Sequence, residues 1–134
     1  MRPRSLFAAA GVLLAVGVGG TLIAEHQIAW GKEMAQIEQR TGGHIEAGPA
    51  AIRRLGCGTC HTIPGLPDAK GRVGPPLTRW AERTYIAGVM PNTADNLILW
   101  IRWPQGVLPR SGMPNMGASE AESRDIAAYL LSLD

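Results

Sequence analysis

The chain has only two cysteines, and both fall within one pentad, Cys57-Gly58-Thr59-Cys60-His61, with one of its three histidines directly behind the second. Few structures tolerate that arrangement, so it limits the fold more than any other feature. A thioredoxin-like redox pair opens a helix after a strand in a βαβ setting, and no strand-like run precedes Cys57. A zinc site wants a fourth ligand and usually a second Cys/His pair, which the sequence lacks. A disulfide across two intervening residues closes a tiny, strained loop and stabilises little.

Composition bears on the fourth reading. The chain has 134 residues, with 17 Gly and 10 Pro against four Trp, two Tyr and one Phe. A loop-rich domain of this size buries little apolar surface of its own and usually needs a staple such as a metal or a large cofactor. Covalent haem attachment has this five-residue signature. Two thiols on one helical turn reach the two vinyl groups of a porphyrin, and the next residue directs its imidazole to the iron. From His44 onward nine Lys/Arg face eight Asp/Glu, a balance that argues against a nucleic-acid binder, which needs a basic face.

Residues 6–24, LFAAAGVLLAVGVGGTLIA, run 19 positions without a charge, behind Arg2 and Arg4. At about 1.5 Å per residue such a helix nearly spans a ~30 Å hydrocarbon core. The flanking arginines keep their end cytoplasmic. A cleavable signal peptide is the competing reading, but its apolar region is shorter and ends at a small-x-small site, and EHQIAW is a poor one. The expectation is an uncleaved transmembrane anchor over 1–24, a helical linker with a Gly42-Gly43 hinge over 25–45, and a folded domain over 46–134 on the periplasmic side of a bacterial inner membrane. His26 and His44 lie in the linker and read as solvated.

Beyond the pentad the chain resembles a class I c-type cytochrome over residues 46–134. Gly48 and Ile52 resemble the glycine and bulky apolar residue of that family's first helix, VGPPL (73–77) its Gly-Pro-x-Leu, and LPRSGM (108–113) its loop to a methionine ligand. Leu97, Trp100 and Ile101 lie on one helical face, which Pro104 terminates. Ser119 and Glu122 form a capping box at the head of a C-terminal helix with an apolar stripe of Ile126, Tyr129, Leu130 and Leu133. The resemblance implies an all-α fold of short helices and long loops around one covalent haem c, with the last helix crossing the first near Gly48.

It also implies residue roles. Cys57 and Cys60 carry the thioether bonds, His61 is the proximal ligand, and the Pro75 carbonyl accepts a hydrogen bond from its ring nitrogen. In the family pattern the second ligand follows the helix-ending proline by nine residues and the loop proline by four; Pro104 to Met113 and Pro109 to Met113 match, and Met116 lies three too far. Met113 is therefore the expected iron ligand and Met116 an apolar packing residue. Trp100 is expected against the porphyrin and Ser111 at a propionate, with Trp80, Tyr85 and Arg79 as further propionate neighbours.

The expected function is one-electron transfer without catalysis, with no small-molecule substrate. The membrane-tethered domain would take electrons from a quinol-oxidising complex or a dehydrogenase and pass them to a terminal oxidase in a respiratory chain. The alternatives are a haem-based ligand-binding or sensor domain and a fixed cytochrome subunit of an oxidase or dehydrogenase complex.

Overall fold

The computed structural model describes the backbone of residues 3–133 and, in the long first helix, the side chains from residue 17 onward. That helix, α1, spans Pro3–Thr41. Contacts divide the chain into two compact units, Met1–Ala35 and Gln36–Asp134. In the first unit Val18, Leu22, Ile23, Ile28 and Trp30 are each more than half exposed. The anchor expected over residues 1–24 falls largely on side chains outside the described residues. Among the described residues no helix is long and apolar enough to cross a membrane.

The second unit begins with the last turns of α1, where Ile37 and Thr41 are buried. Gly42 ends the helix at φ +63°, its N–H donating to the Glu38 carbonyl at 2.8 Å, the left-handed cap that glycine favours. Residues 41–43 are packed rather than hinge-like. A Cβ at Gly43 would lie 2.2 Å from the Arg124 carbonyl carbon, and Arg124 Nη1 donates to the Thr41 carbonyl at 2.9 Å.

Helix α2 (Gly48–Arg54) carries a proline in its first turn, where a missing N–H costs nothing. A turn of 3₁₀ helix over Cys57–Thr59 follows, entered through Gly56 at φ 68°. A long loop leads to β1 (Tyr85–Ile86), which pairs antiparallel with β2 (Met90–Pro91). Ala87 and Gly88 both take positive φ, the conformation of a tight hairpin turn. This small hairpin lies within one of the long loops of a mostly helical fold and was not expected; two-residue strands are too short to show alternation. Helix α3 (Ala94–Arg102) is capped by Thr93, whose side chain accepts the Asn96 N–H. Pro104 opens a four-residue helix, α4 (Pro104–Val107).

Helix α5 (Glu120–Leu131) starts at the complete Ser119–Glu122 capping box. It packs on α2 and α3 with Ile126, Ala127 and Leu130 buried. A Cβ at Gly48 would lie 2.4 Å from Tyr129 Cβ and 2.8 Å from the Asp125 carbonyl oxygen. Glycine thus lets the two helices cross almost backbone to backbone. Burial of each large side chain here, such as Ile52, Leu97 and Ile126, contributes about 1.5–3 kcal/mol. These three helices and the two loops between them wall the cavity described next.

Candidate functional site

Between α2, α3 and α5 lies a cavity of about 490 Å³. Cys57, Cys60, His61, Pro75, Trp100, Ser111 and Met113 all line it.

The cysteine wall is built by local hydrogen bonding. The His61 N–H donates to the Cys57 carbonyl at 3.0 Å, and the Thr59 hydroxyl to the Gly56 carbonyl at 2.7 Å. Residues 70–77 run beside this turn: the Gly71 N–H donates to the Gly58 carbonyl at 3.0 Å, Gly74 to Cys60 at 2.8 Å, and Leu77 to Thr62 at 2.8 Å. Glycine is required here, since a Cβ at Gly74 would sit 2.4 Å from His61 Cε1. The loop brings the Pro75 carbonyl to 2.7 Å from His61 Nδ1. Only a protonated Nδ1 can donate to that carbonyl, so Nε2 keeps its lone pair free for a metal. Both thiols are half-buried and unbridged. Burial pushes the Cys57 thiol above its ordinary range, with the nearby Cys60 adding to the effect and a backbone hydrogen bond opposing it.

The methionine wall comes from the loop after α4. The Leu108 N–H donates to the Pro104 carbonyl at 2.8 Å and the Ser111 N–H to the Leu108 carbonyl at 2.8 Å. The Met113 N–H then donates to Ser111 Oγ at 3.1 Å. The serine expected at a propionate therefore also braces the backbone of Met113. Met116 lines the same cavity and is partly buried against the core.

A polar corner completes the site. Trp80 is buried and lines the cavity, and its indole Nε1 has no hydrogen-bond partner. The Arg83 guanidinium stacks 4.6 Å above the indole, and burial lowers its pKa. Arg110 lines the cavity as well. The other two expected propionate neighbours lie elsewhere. Arg79 takes a positive φ and pairs outward with Glu82 at 3.4 Å; Tyr85 is mostly exposed. Sequence reasoning missed Arg83 and Arg110, because nothing in TRWAERTY or LPRSG distinguishes an inward arginine from an outward one. His44 is exposed, 3.9 Å from Glu38.

These residues fit a haem c. Two thiols, suited to the vinyl groups of a porphyrin, share one largely apolar cavity with an imidazole and a thioether, the pair of side chains that ligates iron in such a group. The unpartnered indole N–H marks where an acceptor belongs, since buried donors are almost always satisfied. The Arg83 guanidinium over the indole matches an anionic acceptor. Among the described residues no cluster of three or more His, Cys, Asp or Glu side chains could hold a metal ion.

Residues 45–134 match the sequence profile of the family described as Cytochrome c. Three curated relatives are each named cytochrome c oxidase subunit 2. That of Alkalihalophilus pseudofirmus is 35% identical over 78% of this chain and 30% of its own length. That of Bacillus subtilis is 26% identical over 84% of this chain and 33% of its own, and that of Bacillus sp. strain PS3 is 29% identical over 78% and 31%. The chain thus spans about a third of the length of these relatives. No solved structure matches it.

Proposed function

The chain belongs to the class I c-type cytochromes, a family that implies haem c and electron transfer, and from that premise we propose a specific role: residues 46–134 hold one haem, covalently through Cys57 and Cys60, as a one-electron carrier feeding a terminal oxidase. When bound, the haem supplies a one-electron ferric/ferrous couple. The chain's own residues do the rest. His61, oriented by the Pro75 carbonyl, and Met113, braced by Ser111, would hold its iron. Trp100, Leu97 and Ile101 exclude water from the cavity. Trp80, Arg83 and Arg110 neutralise its acidic groups.

The observation that carries this reading is the 2.7 Å approach of the Pro75 carbonyl to His61 Nδ1 on the wall that presents both thiols. With His61 and Met113 both given to the iron, no position would be left open for a substrate, so the domain would carry electrons rather than catalyse. The uncharged stretch 6–24 supports a single membrane anchor, with the domain on the periplasmic side of a bacterial inner membrane. Such a tether would raise the local concentration of the carrier for other membrane complexes. A quinol-oxidising complex or dehydrogenase would be the donor. A second reading is favoured by the relatives' names: a fixed cytochrome subunit of an oxidase, with the same chemistry but no shuttling. Co-purification with the oxidase in mild detergent supports the fixed subunit; its absence supports the shuttle.

Intact mass of the membrane-derived protein tests the core of the proposal. One haem added to a chain that retains its N-terminus is the expected result. A mass equal to the bare polypeptide, without Soret absorbance, overturns it. The ligand assignment has its own test. Met113→Ala should abolish the long-wavelength ferric charge-transfer band of methionine ligation, and Met116→Ala should preserve it. The opposite outcome would transfer the role to Met116.

A further inference from the structure

Among the described residues, Asn92, just after β2, is the side chain that clamps both ends of the Trp80–Arg83 turn. Its Nδ2 donates to the Trp80 carbonyl and to the Arg83 carbonyl, each at 3.0 Å. The turn is also closed by the Arg83 N–H on the Trp80 carbonyl at 3.1 Å, and Asn92 is itself fixed by its own N–H on the Thr84 carbonyl at 2.9 Å. The carboxamide has thus committed both donor hydrogens to backbone carbonyls 12 and nine residues away in sequence, while its Oδ1 is buried without a partner. No side chain gains from these bonds directly. What they fix is the turn that carries Trp80 and Arg83, both of which line the cavity, with the indole N–H buried and unpartnered and the guanidinium laid over the indole face. The same guanidinium reaches back to the carbonyls of Pro76 and Thr78, beside the carbonyl that orients His61.

We propose that Asn92 is a positioning residue: by holding the Trp80 and Arg83 carbonyls it presents the indole N–H and the guanidinium as a paired donor for a carboxylate of the group in the cavity. The inference rests on the haem reading of that cavity. Hydrogen bonds to a buried acceptor are strong and sensitive to alignment, and hydrogen bonding around a haem tunes its reduction potential. Loss of the clamp should therefore register at the redox centre, although Asn92 does not line the cavity.

The test uses haem-loaded protein with ¹⁵N-labelled indoles. Asn92→Leu keeps the branched shape in a somewhat larger side chain and removes both donors. It should speed hydrogen exchange of the Trp80 indole proton at least tenfold relative to the amides of Ala127 and Ala128 in α5. It should also move the midpoint potential in the same direction as Trp80→Phe. In the Trp80→Phe background Asn92→Leu should add much less than it does alone, because its effect runs through the indole. Asn92→Ser, with one donor left, should fall between and serves if the leucine variant does not fold. An unchanged potential, with indole exchange merely following the α5 amides, overturns the inference, as do shifts that add in full. Wild-type protein without Soret absorbance would sink the haem reading itself and this inference with it. The outcomes on loaded protein sink only the role of Asn92.

Discussion

Tyr129 shows how much one side chain carries at the crossing of α2 and α5. Its ring lies over Gly48, and its hydroxyl donates to the Pro64 carbonyl at 2.6 Å across 65 residues of sequence. Tyr129→Phe keeps the ring and leaves that carbonyl unpaired, so it should destabilise the domain by about 1 kcal/mol, read as a lower denaturation midpoint with unchanged m-value. Burial raises the phenol's pKa, with Arg53 opposing. The folded state thus holds the proton more tightly than the unfolded chain. The resulting stability is fully present below the unfolded pKa and is lost as pH rises through the folded one. Between pH 9 and 12 wild type should therefore lose stability faster than Tyr129→Phe; parallel curves would refute the assignment. At this scale the sequence was unevenly legible. Pro75 falls in VGPPL and Met113 at the family's spacings from Pro104 and Pro109, so the resemblance points to both. Arg83 and Asn92 act through where a turn points them, and no spacing encodes that. Ser111 was found by position, but its bond to the Met113 N–H depends on the loop's own curvature.

Elements were legible where periodicity or a cap marks them. Helix α5 is the clearest, because its capping box and its apolar stripe agree. Ser119 accepts the Glu122 N–H at 3.2 Å and the Glu122 carboxylate accepts the Ser119 N–H at 3.0 Å. The Ser119 side chain, then its backbone, then Arg54 hold the Glu122 carboxyl below its usual range. A depressed pKa means stability that is present above the unfolded value and lost as pH falls through the folded one. Ser119→Ala should cost about 1 kcal/mol at pH 7, and the gap to wild type should narrow as pH drops from 5 to 3. Denaturant titrations at several pH values check this; a gap that widens in acid contradicts it. The hairpin of β1 and β2 was not legible. Two-residue strands show no alternation, and its turn places Ala87 at φ 50°, a conformation uncommon outside Gly, Asn and Asp. That same hairpin delivers Asn92 to the Trp80–Arg83 turn, so missing the element meant missing the residue.

At the scale of the whole second unit, core and site are largely the same atoms. Of the 16 residues in its buried apolar cluster among the described residues, nine also line the cavity, contributed by α2, α3, α5 and the connecting loops. A domain built this way should depend for its packing on the group that fills the cavity. Without a group to fill it, a cavity of about 490 Å³ lined largely by apolar side chains leaves that surface to water, forgoing about 25 cal/mol for each Å² that a cofactor would cover. Collapse of the loops would recover part of that cost, but only by abandoning the native contacts of Leu77, Trp80 and Leu108. Protein made without haem should therefore keep some far-ultraviolet helical signal while losing near-ultraviolet ellipticity, and it should bind an apolar dye and melt without a cooperative transition. The haem-loaded protein should melt cooperatively. Cys57→Ser with Cys60→Ser, which removes both thiols but keeps His61 and Met113, should fall between the two and respond to added haem, since a ligand that binds only the native state stabilises by mass action. A haem-free domain with native near-ultraviolet signal and a sharp transition would show that the polypeptide closes its own core. The scarcity of aromatic mass that points in the sequence to a large cofactor would then need another explanation.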